Sequence, residues 1–212
     1  MRRVTQKRSR SIHYDFIEIG TSDFNTLIQK ASDKTVGLSV EPLSDYLDRL
    51  PTRRRVQKVN AAVSNKSGAL SIYYVPDAVR KEYGLPAWMK GTNKIGEPHP
   101  TVARYLAKHG LPVSLVARRR VPVYSVERLF RMYRVGSVDF LKIDTEGHDT
   151  VILNAYLDMV DARQELRAGK ILFETNALSD RVAVGRIVER LRGMGYEVTS
   201  SRQDTTAVLR TV

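Results

Sequence analysis

Val138-Asp139-Phe140-Leu141-Lys142-Ile143-Asp144-Thr145-Glu146-Gly147-His148 is the stretch that decides the fold. Val138 to Ile143 is a nearly continuous apolar run that stops abruptly at Asp144. A strand of that kind sits centrally in a parallel sheet whose two faces are both covered. Behind it, Ile152, Ala155 and Met159 recur at helical spacing. In front of it, Val121 to Tyr124 reads as a strand, and Val126, Leu129, Phe130 and Tyr133 stripe an amphipathic helix. Downstream, Ile171 to Phe173 makes another strand, and Val184, Ile187, Val188 and Leu191 mark the last helix. The closing runs Tyr196 to Thr199 and Thr206 to Leu209 can pair as an antiparallel edge.

The N-terminal half has the same rhythm. Phe16-Ile17-Glu18-Ile19 ends at Gly20, and Phe24, Leu27 and Ile28 follow at helical spacing. Val36 to Val40 ends at Glu41-Pro42, and Pro42 opens a helix carrying Tyr46, Leu47 and Leu50. Val56 to Val63 is a third strand, joined to Ala69–Val75 through Asn65-Lys66-Ser67-Gly68, a hairpin turn by composition. Residues 76–112 break the pattern with five of the eight prolines, four glycines, the one Trp and two of the four His. They read as an inserted lid closing without regular structure, apart from a short helix near Val102 to Lys108.

The expected architecture is therefore α/β: a doubly wound, mostly parallel seven-stranded sheet with an antiparallel C-terminal edge. Residues 1–12 form a basic arm, and 13–212 are one domain carrying the lid at 76–112. With 212 residues the core needs no staple, and the chain has no Cys, which excludes thiolate catalysis, zinc fingers and iron–sulfur sites. No apolar run approaches the ~18 residues of a membrane span, and the start lacks the apolar stretch of a secretory signal, so a cytoplasmic location is expected.

In such a sheet, ligands bind beyond the carboxyl ends of the strands. Gly20 ends the first strand, and Glu41 ends the second, 21 residues later. That interval suits a nucleoside: glycine admits close backbone approach, and an acid at the neighbouring tip can accept two ribose hydroxyls. The alternative is a turn glycine and an exposed Glu. Asp23 at the first helix start would repel a pyrophosphate.

Taken together, Glu18-Ile19-Gly20, Val40-Glu41-Pro42, Asn60-Ala61-Ala62-Val63-Ser64, Gly68 and above all Leu141 to Gly147 resemble the FkbM-type methyltransferases over residues 15 to 176. The resemblance implies a class I methyltransferase fold and S-adenosyl-L-methionine as cofactor. It places Glu18 and Gly20, with Thr21 and Ser22, at the methionine end, Glu41 and Pro42 at the ribose, Ala62 and Val63 near adenine, and Asp144 beside the sulfonium. The first loop departs from the family in lacking a second glycine. Asp144 could equally be the N-cap of the following helix.

Methyl transfer needs in-line approach of a nucleophile and a group to manage its proton. Asp144, Glu146 and His148 are the catalytic candidates at the strand tips, although a solvent-facing His at a helix start is the plainer account of His148. Trp88, Lys90, Asn93 and His99 of the lid, with Glu174, are the substrate-binding candidates. Asp144, Glu174 and Asn176 could together offer oxygen ligands to a divalent metal, an arrangement similar to catechol-type O-methyltransferases. The acceptor implied is a hydroxyl of a glycan or small molecule.

The net charge of +12 also admits an anionic partner such as RNA or a membrane surface, met by Arg2, Arg3, Lys7, Arg8 and Arg10, by Arg53 to Arg55 or by Arg118 to Arg120. Hence two alternatives stay open: a nucleic-acid methyltransferase, or a cofactor- or nucleic-acid-binding protein without catalysis. Against the first, the Lys-Asp-Lys-Glu set of ribose methylators needs a Lys where this chain has Glu174.

Overall fold

The computed structural model describes residues 10–210. The basic residues Arg2, Arg3, Lys7 and Arg8 of the arm lie outside them. In chain order the elements are β1 (Ile12–Ile19), α1 (Leu27–Lys30), β2 (Gly37–Val40), α2 (Ser44–Leu47), β3 (Val56–Val59), β4 (Ala62–Ser64), β5 (Gly68–Tyr74), α3 (Asp77–Glu82), β6 (Lys94–Ile95), α4 (Pro100–Lys108), β7 (Ala117–Ser125), α5 (Val126–Met132), β8 (Val135–Ile143), α6 (Asp149–Ala162), β9 (Lys170–Glu174), α7 (Arg181–Gly193), β10 (Tyr196–Ser200) and β11 (Asp204–Leu209).

A seven-stranded mixed sheet has the order β10-β11-β9-β8-β1-β2-β3. β9, β8, β1, β2 and β3 run parallel, and β11 is antiparallel to both β9 and β10. The apolar run around Leu141 is central, as its composition requires, with β1 and β9 on either side. Its side chains join Ile17, Leu38, Ile152, Leu153, Tyr156, Leu157, Ile171, Phe173 and Ile187 in the largest buried cluster. Burying each such side chain contributes about 1.5–3 kcal/mol. Tyr156 keeps its hydroxyl satisfied there by donating to Leu166 O at 2.8 Å and accepting from Ala168 N at 2.8 Å.

A second sheet of four strands, order β4-β7-β5-β6, corrects the sequence reading twice. Residues 56–63 are not one strand. The Asn60 amide donates to the carbonyls of Glu41 and Pro42, both at 3.0 Å, and Ala61 N turns back to Val59 O. The chain therefore leaves the main sheet after β3, and β4 enters the other one. Nor do β4 and β5 form a hairpin: both flank β7, β4 in parallel and β5 antiparallel, with Val123 paired to Ala62 on one side and Gly68 on the other. A turn composition between two short strands fixes a reversal of the chain but not the partner.

The segment 76–112 is likewise more regular than its Pro and Gly content suggests. It contains α3, β6 and α4, and Leu85, Met89, Val102 and Leu106 pack with Val75 and Leu115 as a buried cluster of their own. Antiparallel pairing of Ile95 with Ile72 ties it to β5. The first helix is shorter than expected. A capping box of Thr26 and Gln29 starts α1 at Leu27, which leaves Phe24 on the preceding loop.

Candidate functional site

Gly20, Glu41 and Asp144 follow directly on β1, β2 and β8, so three neighbouring parallel strands end at one place. A cavity of about 670 Å³ opens there. From the main sheet it is lined by Gly20, Thr21, Ser22, Glu41, Pro42, Lys142, Asp144 and Glu146. From the second sheet and the 76–112 segment it takes Ala62, Val63, Trp88, Lys90 and Asn93. Its volume lies in the range of small-molecule sites, and it occupies the expected edge of a parallel sheet.

Gly20 is required for a reason other than ligand approach. Its φ is +81°, and a Cβ on it would stand 1.8 Å from the Asp144 carbonyl oxygen. Close approach of the β1 and β8 ends is what demands glycine. Three further cavity residues, Ser22, Asn25 and Glu146, hold positive φ without being glycine. Each costs of order 1 kcal/mol or more, and such strain persists where surrounding contacts impose it, commonly at functional sites.

Glu41 is 2% exposed. Its Oε2 accepts from Ser22 N at 2.8 Å and its Oε1 from Leu43 N at 2.9 Å. Burial pushes its carboxyl up to about 7, against the pull of those backbone donors. Each oxygen still has a free lone pair for a ligand hydroxyl. Glu18, by contrast, is fully buried behind the wall and does not line the cavity. It accepts from Leu27 N and from Lys142 Nζ, at 2.8 and 2.9 Å.

Lys142 was not foreseen. It lines the cavity and also lies 3.7 Å from Asp144 Oδ2. The available signal was a charged residue two positions before the tip of each of two adjacent apolar strands, Glu18 in β1 and Lys142 in β8. Asp144 itself faces the cavity. Its carboxyl is raised by desolvation, with Glu146 and Asp204 adding like charge and Lys142 opposing. It is not a helix cap: α6 begins at Asp149 with His148 at the N-cap position. Asp149, also unforeseen, organises this turn. It is fully buried, accepts from Thr145 N and Oγ1 and from Glu174 N, and is pushed up by burial to about 6.

His148, Glu174, Asn176 and His99 are not among the lining residues. His148 Nε2 is 3.0 Å from Ser64 Oγ, and burial lowers its pKa. Glu174 accepts from the Asn176 amide and is pushed up to about 9, first by burial and then by neighbouring acids. His99 is buried at the start of α4, where Nδ1 accepts from Thr101 N at 3.1 Å. That leaves Nε2 as the protonated nitrogen of the neutral ring, and it lies 3.5 Å from Glu146 Oε2. Among the described residues, the His, Asp and Glu side chains close enough to share a metal are His13, Asp15 and Asp139, all exposed and near the start of β1, away from the cavity.

The 76–112 segment is fastened to the first loop. Lys90 Nζ lies 2.7 Å from Asp23 Oδ1, while Arg49 reaches Asp23 and Asp77. Asp23 is thus paired with the protein's own cations. Trp88 meets Tyr105 edge to face, with ring centroids 5.9 Å apart, and stays 43% exposed.

The family described as the methyltransferase FkbM domain matches residues 16–198 of the 212. No curated protein matches the chain. No helix among the described residues is long and apolar enough to cross a membrane.

Proposed function

The chain belongs to the FkbM methyltransferase family, and on that premise we propose that it moves a methyl group from S-adenosyl-L-methionine to a hydroxyl of a glycan or small molecule. The observation that carries this reading is the convergence of Gly20, Glu41, Ala62, Val63, Asp144 and Glu146 on one cavity at the ends of parallel strands. A mixed α/β fold with a seven-stranded sheet is in keeping with a methyltransferase-like fold.

The residues present fit that cofactor. Glu41, fixed by two backbone donors, has lone pairs for the ribose hydroxyls. Ala61, Ala62, Val63, Pro42 and Ile72 give adenine an apolar slot. Asp144 supplies negative charge for a sulfonium, and Gly20, Thr21 and Ser22 border the methionine end. The bound cofactor supplies an electrophilic methyl on a good leaving group. The chain's part is to hold the acceptor oxygen in line, keep water out and receive the hydroxyl proton. Glu146 lines the cavity with His99 behind it, so its carboxylate is the group assigned to that proton. His148, turned to Ser64, supports the wall instead.

Glu174 and Asn176 bind each other and neither lines the cavity, so Asp144, Glu174 and Asn176 are not gathered there around one metal position. The basic arm, exposed Arg10 included, is left for an anionic partner such as RNA or a membrane surface. Titration calorimetry with S-adenosyl-L-methionine, then an acceptor screen with labelled cofactor that includes oligosaccharides and RNA, tests the proposal. Absence of cofactor binding refutes it.

A further inference from the structure

The chain as a whole and its main cavity have opposite electrical character. The chain carries +12, yet among the described residues the charged side chains lining the cavity are Glu41, Lys90, Lys142, Asp144 and Glu146, with no arginine. Both lysines are already committed. Lys90 Nζ lies 2.7 Å from Asp23 Oδ1, and Lys142 Nζ lies 2.9 Å from Glu18 Oε1. The Asp23 and Glu18 side chains that hold them are 5% and 0% exposed, so Lys142 cannot swing toward a ligand without stranding buried Glu18, and Lys90 would leave Asp23 to Arg49 alone. With Asp144 assigned to the sulfonium and Glu41 to the ribose, the charge left to face an acceptor is that of Glu146. Among the described residues, Arg49 reaches Asp23 and Asp77, Arg118 reaches Ser71 and Arg119 reaches Asp45.

The uncharged part of the lining has its own character. Phe24 and Trp88 both line the cavity while remaining about half exposed, at 45% and 43%. A partly open aromatic side chain in a cavity wall suits the C–H face of a puckered saturated ring; Lys90 already lies over Phe24, 5.8 Å from its centroid, so Trp88 offers the freer surface. Ser22 Oγ and Asn93 Oδ1, also of lining residues, are buried without a hydrogen-bond partner. Buried polar atoms are ordinarily satisfied, so an orphaned amide oxygen at a cavity wall calls for a donor from the ligand, such as a hydroxyl.

Building on the methyl-transfer assignment, we infer that the acceptor is an uncharged sugar, its ring against Trp88 and Phe24 and a hydroxyl donating to Asn93 Oδ1, and that the acidic wall excludes phosphorylated and other anionic acceptors, nucleic acid included. One like-charge pair about 6 Å apart in a partly desolvated site is enough for roughly a hundredfold discrimination.

The test first measures S-adenosyl-L-methionine binding by calorimetry, then initial rates with labelled cofactor on matched acceptors: methyl hexosides and N-acetylhexosamines against hexose 6-phosphates, uronic acids and an RNA oligonucleotide. The expected result is transfer to a neutral sugar with kcat/KM at least about 100-fold above its anionic counterpart. Asp23→Asn, which releases Lys90, should narrow that ratio about tenfold, the direction expected when a cation is returned to the wall. Equal or better transfer to the phosphorylated sugars or RNA overturns the inference. So does a protein that binds cofactor but methylates none of the neutral sugars. Failure to bind cofactor strikes the methyl-transfer assignment itself and is read separately.

Discussion

Lys142 stands opposite Glu18 in the parallel pairing of β8 with β1, and its ammonium donates to Glu18 Oε1 at 2.9 Å. Burial, with a smaller push from the Asp144 charge, raises the Glu18 carboxyl, and Lys142 opposes it. Burial works to lower Lys142, but the carboxylate beside it prevails and raises it. Because Lys142 also approaches Asp144, a fully buried charge behind the wall is linked to an exposed one at the cavity.

Breaking this pair from one side should be costly. Lys142→Met leaves Glu18 buried without its cation and is expected to lower unfolding free energy by about 3–5 kcal/mol. The double variant Glu18→Gln, Lys142→Met should regain much of that. Urea unfolding of the parent and the two variants checks it, and a loss under about 1 kcal/mol in the single variant would show the pair to be dispensable.

The site acids should make the ligand-free protein less stable as pH rises. Folded Glu41 titrates at about 7 against 4.5, Asp149 at about 6 against 3.8, and Glu174 at about 9 against 4.5. Between each pair of values the folded chain holds a proton that the unfolded chain has released. Stability is therefore full below the lower value and is lost as pH climbs through the higher one. Chemical denaturation should give a smaller unfolding free energy at pH 9 than at pH 5. Glu174→Gln should flatten the part of the curve above pH 7. A curve that rises over this range contradicts the assignment.

Glu41→Gln should separate stability from binding. Removing a carboxyl raised to about 7 relieves up to about 3 kcal/mol at pH 8, at 1.36 kcal/mol per pH unit, less the backbone contact that the amide cannot keep. Losing the charge-assisted ribose contact should weaken S-adenosyl-L-methionine by roughly 1.5–3 kcal/mol. Unchanged affinity by calorimetry removes Glu41 from the cofactor site.

Asp144→Asn should reduce turnover while leaving the melting temperature nearly unaltered, since Asp144 caps no helix and faces the cavity. Unchanged rate and unchanged melting would end its catalytic assignment.

Within the 76–112 segment, neighbouring residues should behave oppositely. Met89 is fully buried, so Met89→Ala should cost about 2–5 kcal/mol of stability. Trp88→Ala, half exposed against Tyr105, should spare the fold and lower acceptor kcat/KM with cofactor affinity nearly intact. A silent Trp88→Ala would make this face merely structural.

Local pattern was enough to place most strands of the main sheet, the central position of the Leu141 run and the strand-end residues Gly20, Glu41 and Asp144, because hydrophobic period and abrupt polar ends are properties of contiguous residues. Partnership was not. That β4 and β5 both flank β7, that Lys142 neutralises Glu18, and that His99 stands behind Glu146 depend on pairs separated by 43 to 124 positions, and no local spacing encodes them. The reason for Gly20 shows the division most clearly: the sequence marked the position, and only the meeting of two strand ends in space revealed that the Asp144 carbonyl is what excludes a side chain there.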